Sequence, residues 1–137
     1  MVKYFPIMFS ITLSFLNATG AWMISQRTHG ELKWNTISTD HFDIHYHGGI
    51  KDIAVKGASM AEQIRPVLMQ QMGLDTLRRL DIAFTTEDEI FNGFATPGNY
   101  TVIWVDQNDA GLWAGDEKWM RTVLAHELQH LVYFNTV

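Results

Sequence analysis

The residues best suited to chemistry lie near the end of the chain, in the pentapeptide His126-Glu127-Leu128-Gln129-His130. On an α-helix, residues four apart lie one above the other on one face, so both imidazoles can reach a single metal ion. Glu127 directly follows the first histidine, where its carboxylate can reach a metal-bound water and act as general base without ligating. The pattern predicts a zinc site with His126 and His130 as metal ligands and Glu127 as the catalytic residue. The competing reading is a helix with two incidental surface histidines. Context favours the site: no Gly or Pro interrupts residues 117–134, and Asp116 after Gly115 is placed to cap a helix start. Leu124, Leu128, Leu131 and Val132 supply an apolar stripe that would press this helix into a core.

The elements that must position the site can be read upstream. Residues 33–47 alternate, with Phe42, Ile44 and Tyr46 on one side and His41, Asp43, His45 and His47 on the other, as a half-buried strand does. Three histidines on one strand face could themselves hold a metal, but alternating polar residues also describe a solvated sheet face. After the Gly48-Gly49 turn, Ile53, Gly57, Met60, Ile64, Leu68 and Met72 recur in steps of three and four, predicting an amphipathic helix that stops at Gly73. Pro66 inside it removes a backbone donor, so a kink or break near Arg65 is expected. Residues 80–85 and 100–105 read as two further strands, with a turn-rich loop at 92–99 between them and another at 106–115 before the metal helix. The acidic side chains of that second loop lack the spacing of a calcium loop and read as solvated turn formers.

Size and charge narrow the function. A chain of 137 residues with 47% apolar side chains can bury one core. Its net charge of −5 and scattered Lys and Arg argue against a nucleic-acid surface, so a peptide or protein substrate suits it better. With no cysteine present, any metal must be held by His and carboxylate. Residues 4–16 form an apolar run behind Lys3, and small residues follow at Ala18, Gly20 and Ala21. This is the layout of an export signal over residues 1–20, with residues 21–137 as the mature part and a periplasmic or extracellular destination. An uncleaved segment would be the one link to a membrane.

The stretches 34–47, Asn92-Gly93-Phe94-Ala95-Thr96-Pro97 and 119–130 resemble bacterial gluzincin-type domains of the peptidase MA-like group, thermolysin-like zincins often found in front of TolB-like β-propellers. The similarity covers about residues 33–134. It implies an α+β fold, the upper subdomain of a zincin, in which a small mixed sheet of about three to four strands packs on a long helix and on the helix carrying the motif. It also implies zinc (Zn2+) on His126 and His130, Glu127 as base, a further glutamate ligand from a later helix, and a covalent C-terminal propeller. Only Leu131-Val132-Tyr133-Phe134-Asn135-Thr136-Val137 follows His130, so the chain reads as the N-terminal part of such a domain.

Two functions remain in view. One is a zinc metallopeptidase-like domain in which Glu127 activates water for attack on a peptide carbonyl. In it, the strand of Thr101, Val102, Ile103, Trp104 and Val105 is expected to be the sheet edge that binds substrate through its backbone, and the loop at 92–98 to flank the entrance. The other is a binding or scaffold domain that keeps the fold without cleaving anything.

Overall fold

Residues 33–47 form two strands, where the alternation alone suggested one. The structure is a computed structural model that describes residues 31–87, 93–105 and 117–136. The expected export signal, Asp116 and the loop at 106–115 lie outside the described residues. Strand β1 (Trp34–Ser38) pairs antiparallel with β2 (Phe42–His47), from Trp34 opposite His47 to Ser38 opposite Asp43. The reversal is fixed by charged side chains from distant parts of the chain. Glu62 accepts hydrogen bonds from Thr39 Oγ1 (2.6 Å), from the His41 backbone N–H (2.9 Å) and from the His41 ring at Nδ1 (2.8 Å). Arg79 donates to the carbonyls of Thr39 (2.8 Å) and Phe42 (2.9 Å) and pairs with Asp43. No periodicity encodes such a turn.

Helix α1 (Lys51–Met72) follows, ending as expected at Gly73 in the left-handed conformation. It runs unbroken through Pro66, because Ile64 and Leu68 on either side are buried in the same core and hold the helix across the missing donor. Its sheet-facing side is built from small residues, Ala54, Gly57, Ala58 and Ala61. They let the helix lie close on the sheet: a Cβ added at Gly57 would stand 2.3 Å from Cζ of Phe84.

Strands β3 (Leu80–Thr85), β4 (Gly93–Ala95) and β5 (Tyr100–Trp104) complete a five-stranded mixed sheet in the order β1-β2-β3-β5-β4. The pairs β2·β3 and β3·β5 are parallel, and β4·β5 is antiparallel. Phe42, Ile44, Leu80, Ile82, Phe84, Thr101 and Ile103 are fully buried, alternating with half-buried Asp43, His45, Asp81, Ala83 and Val102. Helices α1 and α2 (Glu117–Phe134) cover the buried face. The α+β class therefore stands, with five strands in place of three to four. The surplus comes from the split of residues 33–47 and from Gly93-Phe94-Ala95, which is too short and too rich in neighbouring turn formers to show alternation. No described helix is long and apolar enough to cross a membrane.

Glu62 carries a pH signature. Partial burial raises its carboxyl pKa, but hydrogen bonds from Thr39 and His41 and attraction to the His41 ring outweigh that, so the net displacement is downward. A carboxyl lowered on folding adds stability above its unfolded pKa, and loses it as pH falls through the folded one. Glu62→Gln should therefore cost on the order of 1–2 kcal/mol near pH 7. Thermal melts of the two proteins should converge as pH is taken well below the ordinary glutamate range; a gap independent of pH would show that the charge is not what fixes the turn.

Candidate metal centre

Helix α2 buries Met120, Val123, Leu124, Leu128, Leu131 and Val132, and leaves Arg121, His126, Gln129, His130 and Tyr133 exposed. The apolar stripe expected from the sequence thus presses the helix onto the sheet and turns the two histidines outward. His126 Nε2 and His130 Nε2 lie 3.2 Å apart, with ring centroids 4.8 Å apart and ring planes at 85°. His130 is backed on its other side by Phe134, stacked at 6.3 Å. A tetrahedral zinc with Zn–N bonds of about 2.0–2.1 Å holds two nitrogens roughly 3.3 Å apart. The rings already have the separation that chelation of one ion requires.

Glu127 stands between this pair and the sheet. It is 7% exposed, a carboxylate on a helix face otherwise occupied by Leu124, Leu128 and Leu131. Burial pushes its carboxyl above the ordinary value, while the His126 and His130 rings and a hydrogen bond from the Ala95 backbone N–H offset part of the rise. A proton-accepting group kept out of bulk water, next to two imidazole nitrogens, is what a general base beside a metal ion needs.

Neither family models nor curated proteins match the sequence. Among the described residues, no group of three His, Cys, Asp or Glu is placed to hold a metal ion. The pair His126 and His130 fits the nitrogen part of a zinc site, and a complete site needs one more protein ligand.

The strand histidines are occupied by other work. His41 bonds Glu62; His45 joins Thr36 Oγ1 at Nδ1 and Asp81 Oδ1 at Nε2, both at 2.9 Å. His47 is buried, accepts the Thr86 N–H and meets Thr85 Oγ1 at 3.0 Å. These contacts tie β1, β2 and β3 together and engage both ring nitrogens of His45, Nδ1 of His41 and Nε2 of His47.

The edge expected at Thr101, Val102, Ile103, Trp104 and Val105 is corrected. Strand β5 is flanked by β3 on one side and by β4 on the other, where Thr101, Val102 and Ile103 pair with Ala95, Phe94 and Gly93. Thr101, Ile103, Trp104 and Val105 are also buried, so their side chains serve the core. The outer strand is β4, inside the stretch expected to be a loop. A tight turn at residues 96–100 returns it onto β5: Thr96 N–H donates to Tyr100 O and Asn99 N–H to Thr96 O, with Asn99 left-handed at φ 67. Asn135, past the end of α2, donates to Asn99 Oδ1 (2.6 Å) and to Leu131 O (2.8 Å), fastening that turn to the helix. Gly93, Ala95, Asn99 and Asn135 escape a reading by spacing, because their roles come from contacts across 30 or more residues of chain.

On the other flank of the histidines an open groove of about 510 Å³ runs between α1 and α2, lined by Ile64, Val67, Leu68, Arg121, Ala125 and His126 among others. The histidine pair lies between this groove and β4.

The raised Glu127 carboxyl has a measurable consequence in metal-free protein. A group whose pKa rises on folding adds relative stability below its unfolded pKa, and that contribution is lost as pH rises through the folded one. Glu127→Gln, uncharged at any pH and able to keep an oxygen toward Ala95, should melt a few degrees higher than the parent at pH 7 to 8. Near pH 4 calorimetry should find the two alike; a Gln variant that is less stable at pH 8 would contradict the burial argument.

Proposed function

We propose that this chain carries the motif-bearing half of a zinc metallopeptidase domain of the gluzincin type, with His126 and His130 as zinc ligands and Glu127 as the base. The observation that supports the reading most is the 3.2 Å convergence of the two Nε2 atoms beside a buried carboxylate. Zinc bound there would supply Lewis acidity, polarising a substrate carbonyl and lowering the pKa of a water. The chain's own residues supply the rest. The two imidazoles fix the position of the metal, and Glu127 accepts a proton at its carboxylate and can return it to the leaving amine. Phe134 stacks on His130, and the outer strand β4 covers Glu127 at Gly93.

Substrate recognition belongs to the outer strand β4. Because Thr96 N–H bonds Tyr100 O, antiparallel alternation puts Phe94 in the next bonded pair with Val102 and directs the N–H and C=O of Gly93 and Ala95 away from β5. An extended peptide added along this edge would pair with the Gly93 N–H and the Gly93 and Ala95 carbonyls, the Ala95 N–H being turned to Glu127, and would pass beside Glu127 and the histidines. The groove between α1 and α2 offers apolar room on the far side of the metal. The N-terminal segment and the acidic net charge suit an exported enzyme acting on peptides or proteins, with a β-propeller as its covalent neighbour.

A second reading, a zincin-fold binding or scaffold domain, is favoured by one observation: no third ligand joins the pair among the described residues. Zinc titration calorimetry separates the parts of the proposal. The parent chain should take up one zinc with an affinity below that of a complete three-ligand site. His126→Ala and His130→Ala should each abolish uptake, and Glu127→Gln should retain it. If uptake survives both helix substitutions and is lost with His45→Ala or His47→Ala, the site is on the strand and the proposal fails. If the zinc-loaded parent binds peptides but leaves quenched fluorescent ones intact, the scaffold reading takes its place.

A further inference from the structure

We propose that β4 is the positioning element of the base, with the bare Cα of Gly93 and the amide N–H of Ala95 together fixing the Glu127 carboxylate beside the His126–His130 pair. This inference rests on Glu127 being the base. It makes Gly93 a positioning residue: no side chain at that place is compatible with Glu127 where it stands.

Four observations converge on it. A Cβ built on Gly93 would lie 2.6 Å from Glu127 Cγ and 2.8 Å from Oε1, inside the closest approach that real Cβ atoms show, and 3.0 Å from Cδ, at its limit. Glu127 has little room to retreat, since it is 7% exposed and its own helix is packed through Leu124, Leu128 and Leu131. The Ala95 N–H, directed away from β5 by the alternation of the ladder, is turned toward the same carboxylate and helps to hold its pKa down. The hairpin that carries both residues is fastened to α2 a second time, through Asn99 and Asn135 at 2.6 Å. The carboxylate is therefore set by a steric stop on one side and a donor on the other, before any metal or substrate arrives. Preorganisation of this kind removes the reorganisation that a mobile glutamate would undergo during proton transfer.

Two substitutions test it on the full chain. Gly93→Ala puts a methyl group in the carboxylate's place. Ala95→Pro deletes the donor at an outer-strand position whose N–H faces away from the ladder, where proline is tolerated. In metal-free protein, the Ala95 amide proton should resonate downfield in the parent and move upfield in Gly93→Ala and in Glu127→Ala. In zinc-loaded protein, both β4 variants should keep the parent's zinc affinity, because neither touches a histidine. Their affinity for acetohydroxamic acid, which chelates zinc and shares a proton with the neighbouring carboxylate, should fall roughly tenfold, the worth of one charge-assisted hydrogen bond. An Ala95 amide shift unchanged by Glu127→Ala overturns the contact itself. Unchanged acetohydroxamic acid affinity in both variants, with the amide shift lost, overturns the positioning role and leaves Glu127 as a cap on the sheet edge. A parent chain that binds zinc no better than His126→Ala removes the metal reading and this inference with it, and the amide shift still reports the contact separately.

Discussion

A carboxylate on the buried flank of a helix must find a hydrogen-bond donor, because water no longer supplies one. For Glu127 the Ala95 N–H is the backbone group turned toward it, and the close approach of Gly93 ties α2 to the architecture of the sheet. It requires an outer strand that ends beside the helix, a hairpin turn short enough to bring it there, and a residue without a side chain at the point of contact. Gly93-Phe94-Ala95, the turn at residues 96–100 and Gly93 meet those three conditions in turn. The histidines are free of such demands. They sit on the exposed side of the same helix, held in register by the backbone and by Phe134.

The two layers divide the labour accordingly. Fully buried Phe42, Ile44, Leu80, Ile82, Phe84 and Ile103 form one face of the core, and Leu124, Leu128 and Leu131 press α2 onto it. Helix α1 comes close through Ala54, Gly57, Ala58 and Ala61, which orients α2 from the side. The opposite sheet face carries a cross-strand network of Thr36, His45 and Asp81 that binds β1, β2 and β3 into one rigid unit. Rigidity there matters to the site, because β4 hangs on β5, and β5 on β3.

Much of this was legible from residue order. The 3.6-residue period of Leu124, Leu128 and Leu131 places α2, and the four-residue spacing of His126 and His130 places both rings on one face. The apolar steps along α1, from Ile53 to Met72, and the stop at Gly73 are equally local, whereas the small face of Ala54, Ala58 and Ala61 emerges from the packing. What escaped was non-local. The turn at residues 39–42 is made by Glu62 and Arg79, 20 to 40 positions away, so the break between β1 and β2 leaves no mark in the alternation. Strand β4 has three residues, fewer than a period-two pattern needs to show itself, and its absence from the sequence reading moved the sheet edge onto β5. The burial of Glu127 was legible in principle: it continues the stripe of Leu124, Leu128 and Leu131, and a charge on a core stripe signals either a partner or a function.

In the proposed site the helix pair chelates a metal while Glu127 stays off it. Zinc-edge anomalous diffraction from crystals of the zinc-loaded chain measures both parts at once. One strong peak is expected about 2.0–2.1 Å from Nε2 of His126 and of His130, with the Glu127 carboxylate outside bonding distance and still facing the Ala95 amide. A peak on His45 or His47, or one bonded directly to Glu127, would contradict it.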